Sequence, residues 1–223
     1  MVDTVVLKDS IVIGYFVDKM VLAKFNAKVD TVLAKDYAVS AFPTLVLTDK
    51  DGKEIDRIIG YLKPDEFLQK LEDYQNGIGT LEDLLARADT LEDRDMYFEI
   101  AEKYKYSGRP DEATEWFDKV IGMGEPTDSL SGESRMALAD MIRRAKDYDG
   151  AREAFLKIMK DFDGTPVAEE AEIWRAYIYV LGYDTANAIT AFKEFIRHYP
   201  ESEESEWAQK QIDKLEGKAP EAK

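Results

Sequence analysis

The order of apolar and polar positions divides this chain into a short region of mixed period and a long region of helical period. Val21, Ala23, Phe25, Ala27 and Val29 fall on one face at a period of two, which predicts a strand. Asp30 or Thr31 then caps a short helix through Leu33 and Tyr37. Thr44-Leu45-Val46-Leu47-Thr48 and Ile55 to Tyr61 are β-rich runs. Asp49-Lys50-Asp51-Gly52 lies between them, so the pair reads as an antiparallel hairpin with Gly52 suited to positive φ. Pro64 stands where a helix opens, Phe67, Leu68, Leu71 and Tyr74 give it an apolar stripe, and Asn76-Gly77 stops it. Ile11 to Phe16 suits either a strand or a helix end capped by Ser10, because periodicity does not separate the two in so short a run.

Beyond Thr80 the apolar residues recur at three and four, and the pattern repeats. Ala113-x3-Phe117, Ala151-x3-Phe155 and Ala188-x3-Phe192 succeed one another after 38 and 37 residues. A fixed period of that size predicts stacked helical hairpins. A small residue lets two crossing helices approach, and the aromatic one turn later fills the space beside it. A last helix through Trp207, Ile212 and Leu215 caps the stack, and a frayed tail is expected from Gly217 to Lys223. The expected division is therefore residues 1–78, residues 79–216 and the tail 217–223, with Asn76 to Thr80 as a short linker.

Charge follows the same division. The net charge of the 223-residue chain is −16. Residues 1–78 carry 10 Lys/Arg against 13 Asp/Glu, and the remainder carries 20 against 33. So acidic a surface argues against nucleic acid and anionic membrane as partners. There is no cysteine and one histidine, His198, so thiol redox chemistry and Cys/His metal sites are excluded for this chain. No cofactor is expected. No apolar run is long enough to span a membrane, and no basic segment precedes an apolar one in the manner of a signal peptide. Neighbouring acids such as Glu169-Glu170 and Glu203-Glu204 do not face each other on a helix, and no phosphate-loop or nucleophile-elbow motif is present.

Val39-Ser40-Ala41-Phe42-Pro43-Thr44-Leu45-Val46-Leu47, then Asp51-Gly52-Lys53-Glu54-Ile55 and Arg57-Ile58-Ile59-Gly60-Tyr61, resemble the second half of a thioredoxin-like domain. The resemblance implies a cis peptide bond at Phe42-Pro43, before Thr44. It also implies that Thr4 to Phe16 are the C-terminal part of a helix. The CxxC motif, first strand, first helix and central strand of that family are absent, so its chemistry does not carry over. Without the central strand the remaining strands would have unpaired edges. The missing segment could lie upstream in the native protein, a neighbouring chain could supply a strand, or the remaining strands could pair in a new order.

Residues 92–200 resemble tetratricopeptide (TPR) repeats. Ala101, Tyr104, Gly108, Ala113 and Phe117 form the first copy. Leu138, Ala139, Ala151 and Phe155 form the second, and Ala176, Tyr179, Ala188, Phe192 and Pro200 the third. The expected fold class is thus an α+β partial thioredoxin-like fold followed by an all-α helical-hairpin array. The second resemblance implies a protein or peptide partner on a concave face. Phe98, Glu102 and Lys105 would line it, with Met136, Asp140, Arg143 and Arg144, and then Ile173, Tyr177 and Leu181. Arg143 and Arg144 could hold a carboxylate, or pair with Asp140 or Asp147. Phe98 and Tyr177 could equally be core aromatics.

The leading expectation is an interaction or scaffold module with a redox-inactive thioredoxin-like part. The alternatives are a thiol–disulfide oxidoreductase whose CxxC lies upstream, and a homo-oligomerisation module that dimerises through strand edges. Whether this is an enzyme is left open. The resemblances suggest a bacterial protein of cytoplasm or periplasm.

Overall fold

A computed structural model describes residue 2 and residues 5–218, without the side chain of Asp18. Thr4 and the tail beyond Lys218 lie outside the described residues. The chain forms two compact units, one ending at Trp116 and the other beginning at Phe117. That packing boundary falls later than the composition shift at residue 78.

The first unit opens with a 3-10 turn at Val6–Lys8 and helix α1, Ser10–Lys19. The segment from Ile11 to Phe16 is thus helical. The cap, however, is Asp9 rather than Ser10, its carboxylate accepting from the N–H groups of Ile11 and Val12. Helix α2 spans Thr31–Asp36. Strands β1 (Thr44–Thr48) and β2 (Glu54–Ile59) pair antiparallel from Thr44↔Ile59 to Thr48↔Glu54, with an irregularity at Leu47/Thr48. Gly52 takes the positive φ of the turn. Helix α3, Pro64–Gln75, has Pro64 at its first position, where the missing N–H costs nothing. Phe67, Leu71 and Tyr74 of α3 join Val6, Val12, Leu47 and Ile58 in one buried cluster. Leu68 packs at its margin.

Residues 21–29 do not form the expected strand. Residues 20–26 lack regular structure and 27–29 form a turn closed by Val29 and Asp30 N–H donating to the Asn26 carbonyl at 2.8 and 2.7 Å. The reason is that no described strand pairs with this segment. A strand is stabilised by its ladder, and the only sheet among the described residues is β1–β2. The apolar alternation therefore stands in solvent, with Val21 97% and Val29 74% exposed.

Helices α4 (Leu81–Ala88) and α5 (Arg94–Tyr106) complete the first unit with the start of α6, Pro110–Met123. An ionic network ties α5 to the hairpin. Asp56 accepts from Lys103 Nζ with both oxygens at 2.9 Å and from the backbone N–H groups of Arg57 and Leu81. Lys103 also donates to the Tyr74 hydroxyl at 2.9 Å. Arg57 donates to Glu54, to the Tyr37 carbonyl and to the Tyr106 carbonyl at the end of α5. Burial pushes the Lys103 ammonium below its ordinary pKa against the pull of Asp56, and burial raises Tyr74.

The second unit holds the rest of α6 and helices α7 (Ser129–Arg144), α8 (Tyr148–Asp161), α9 (Pro166–Leu181), α10 (Thr185–His198) and α11 (Glu203–Leu215). Sequential helices from α7 to α11 pack on one another. Side chains of Asp128, Asp147, Thr165, Asp184 and Ser202 cap the five helices by accepting backbone N–H bonds. The repeated residues fall where the spacing predicts: Ala151, Phe155, Ala188 and Phe192 are each at most 1% exposed.

The turn inside each hairpin repeats as well. Gly108, Lys146 and Tyr183 each follow the first helix of a pair in the left-handed region, at φ of 75°, 66° and 61°. Glycine takes that conformation without a Cβ penalty, whereas lysine and tyrosine do not. Lys146→Gly and Tyr183→Gly should each raise the free energy of unfolding by about 0.5–1 kcal/mol, measured by guanidinium denaturation. A loss of stability would mean that these side chains hold the turn by contacts that outweigh the strain.

Candidate functional site

The expected groove residues fall in both units, and each set is described within its own. In the first unit Phe98 is half-buried on α5, and Glu102 pairs with Lys105 at 2.7 Å. Lys105 also lies 4.7 Å from the Tyr106 ring centre. Phe42 is 71% exposed, the Phe42–Pro43 bond is cis, and the Thr44 hydroxyl donates to the Ala41 carbonyl at 2.8 Å.

In the second unit α7 brings three of the charged positions together. One Asp140 oxygen accepts from Arg143 at 2.8 and 2.5 Å, and the other accepts from Arg144 at 2.6 Å. Residues three and four apart on a helix are neighbours, so one carboxylate can hold both guanidinium groups. The partner is Asp140, not Asp147, whose side chain caps α8. Burial pushes the Asp140 carboxyl up, but the hydrogen bonds from Arg144 and Arg143 outweigh it and leave its pKa below the ordinary range. The guanidinium of Arg143 also lies 5.1 Å from the ring of Trp174 on α9, a cation–π arrangement. Trp174 stacks edge-on against Tyr177 at 6.1 Å, and Tyr177 lies 5.6 Å from Trp207 of α11. Tyr177 and the buried Ile173 belong to the packing of α9, α10 and α11, while Met136 packs on the α7–α9 core. Leu181 is half-buried at the end of α9. Asp140, Arg143 and Arg144 thus form a partly exposed charged cluster on α7, with Arg143 beside Trp174.

The His198 Nδ1–H donates to Glu172 at 2.8 Å, joining α10 to a buried carboxylate on α9. Residue spacing pointed to neither Glu172 nor the Asp56–Lys103 network. A signal for the second exists in Glu54-Ile55-Asp56-Arg57, charges inside a strand, and in Lys103 beside the apolar Ile100, Ala101 and Tyr104. Among the described residues there is no cluster of three or more acidic or histidine side chains able to hold a metal, and no helix is long and apolar enough to cross a membrane.

Comparison with known proteins agrees with both halves of this architecture. Residues 9–75 match the family model of the thioredoxin-like domain, and residues 138–209 match that of an outer membrane lipoprotein family, YfiO. No curated protein matches the chain. Among solved structures, the nearly identical TPR-like repeats of a protein described as a kinesin light chain from Podosopora anserina superpose with a TM-score of 0.51 at 15% identity. They cover 68% of this chain and 82% of that one. A point variant of the same protein gives the same TM-score and identity, over 68% and 81%. BtubC (BKLC) from P. vanneervenii gives 0.45 at 14% identity, over 72% and 81%. The chain therefore joins a thioredoxin-like region to a TPR-like helical array.

Proposed function

We propose that this chain is a protein-interaction module whose helical array takes a peptide or protein partner, with a thioredoxin-like part that serves as a structural platform. The observation that carries the reading is the cluster on α7. Two arginines share one carboxylate beside a half-buried tryptophan, on the first helix of a TPR-like pair. A partner's carboxylate can compete with Asp140 for the same guanidinium donors, because the fork geometry accepts either. The indole supplies an apolar wall next to the charge. The platform is without thiol chemistry in this chain because it contains no cysteine.

The test is a peptide array probed with the full chain, followed by anisotropy titration of the strongest acidic peptide. Arg143→Ala with Arg144→Ala should weaken binding about tenfold or more, the loss of one or two charge-assisted hydrogen bonds. The reading fails if no acidic peptide binds, or if the double variant binds as well as the parent.

A further inference from the structure

The exposed segment Val21-Leu22-Ala23-Lys24-Phe25-Asn26-Ala27-Lys28-Val29 is nearly its own mirror in hydrophobic pattern. Laid antiparallel on a second copy with Phe25 opposite Phe25, it sets Val21 against Val29 and Ala23 against Ala27. Leu22 then meets Lys28, and Lys24 meets Asn26. Every apolar position on one face meets an identical or matching one, and no lysine opposes a lysine. Shifting the register by two residues would set Lys24 against Lys28, directly opposed like charges, which are unfavourable. A two-fold interface requires this kind of self-complementarity, since each residue of one copy meets the symmetry-related set of the other.

The segment is also accessible. Phe25 is 58% exposed, Leu22 47%, and Val21 and Val29 more so. Residues 21–25 pair with no strand among the described residues. Beside them, Phe25, Val29, Val32 and Leu33 line an open concavity of about 400 Å3. Asp30, Thr31 and Asp36 complete its lining, and an exposed apolar stretch rimmed by polar residues is the kind of surface that partners cover.

We infer that two copies of this chain associate through antiparallel pairing of residues 21–29, with Phe25 on the two-fold axis. The turn at Asn26 opens on pairing. Opening it breaks the bonds from the Val29 and Asp30 N–H groups to the Asn26 carbonyl, from the Lys28 N–H to the Asn26 side chain and from the Asn26 N–H to the Asp30 carboxylate. Ladder bonds between copies take up the backbone groups of residues 26–29, while the Asp30 N–H turns to solvent. The surface lies on the first unit and is independent of the Arg143–Arg144 cluster.

The absence of cysteine makes the test clean. In the full chain, Phe25→Cys places two thiols opposite each other. Opposed residues have Cα atoms about 4.5 to 5.5 Å apart, within the range of about 4.4 to 6.8 Å that a disulfide needs. Val29→Cys places its thiol opposite Val21 instead. Under mild oxidation Phe25→Cys should form a covalent dimer about tenfold faster than Val29→Cys, whose thiols are several strand positions apart. Wild type should sediment at twice 25.4 kDa as concentration rises. Phe25→Asp and Phe25→Lys should each be monomeric alone and should associate when mixed, because only a residue on the axis meets itself. The inference is overturned if wild type stays at 25.4 kDa up to about 100 μM. Equal cross-linking of the two cysteine variants, or a dimer that survives Phe25→Asp, would overturn it as well.

Discussion

Lys103→Met is expected to lower the unfolding free energy of the full chain by about 3–5 kcal/mol, read from guanidinium denaturation. The lysine side chain is 9% exposed and the Asp56 side chain 3%. Removing the ammonium leaves a buried carboxylate held only by the backbone N–H groups of Arg57 and Leu81. The penalty is the stranded charge rather than the lost attraction, because a buried ion pair gains little net energy over apolar packing. This distinction is measurable. Asp56→Asn alone removes the nearest counter-charge of the ammonium and leaves it the Tyr74 hydroxyl and Glu99 at 3.9 Å, but Asp56→Asn with Lys103→Met strands nothing, and the asparagine oxygen can still accept from Leu81. The double variant should therefore cost less than the sum of the two single changes. Additive costs would mean that the two groups do not act as a pair.

Phe192→Ala should cost a similar amount, about 3–5 kcal/mol, the cost of an unfilled cavity at a fully buried aromatic. Phe192 is 0% exposed and packs edge-on at 5.7 Å against Trp207. Its other neighbours in the cluster include Ala176, Ala188, Ala191 and Ala208. The cluster also holds Ile173, Phe195 and Ile212, but side chains fixed on packed helices relax only partly into a void, so a cavity remains. A cost below about 1 kcal/mol would mean that α9, α10 and α11 slide together to fill it.

The sequence was most legible where one residue's backbone chemistry decides the structure locally. Pro64 opens α3, Gly52 and Gly77 take positive φ, and β1 runs from Thr44 to Thr48 as its propensity predicts. The alanine–phenylalanine spacing located the hairpins because each pair makes the same local contact. Residues 21–29 misled because a period of two states only that a strand would be amphipathic. It does not supply a neighbour to pair with. Asp9 and Ser10 are both good caps, and nothing in their order selects between them. The partnership of Asp56 with Lys103 bridges 47 residues, beyond the reach of any periodicity. Arg143 and Arg144 were placed by their position on the first helix of a pair, and their pairing with Asp140 was one of the two local partners that helical spacing allowed, whereas the nearness of Trp174 depends on the packing of α7 and α9.

The Asp56–Lys103 lock also bears on how such an architecture can gain and lose repeats over time. Hairpins that repeat alanine and phenylalanine at 38- and 37-residue intervals share the same inner contact, and because each repeat in a stack touches only its neighbours, duplication or deletion among them disturbs only the adjacent joins. Helix α5 is different. It carries the one lysine that neutralises Asp56 and the carbonyl that Arg57 grips. Deleting it would strand the buried Asp56 carboxylate in the β-hairpin and cost Arg57 one of its partners, leaving it Glu54 and the Tyr37 carbonyl. The array can therefore change length only on the far side of its first helix, and that helix must be inherited together with the hairpin it locks.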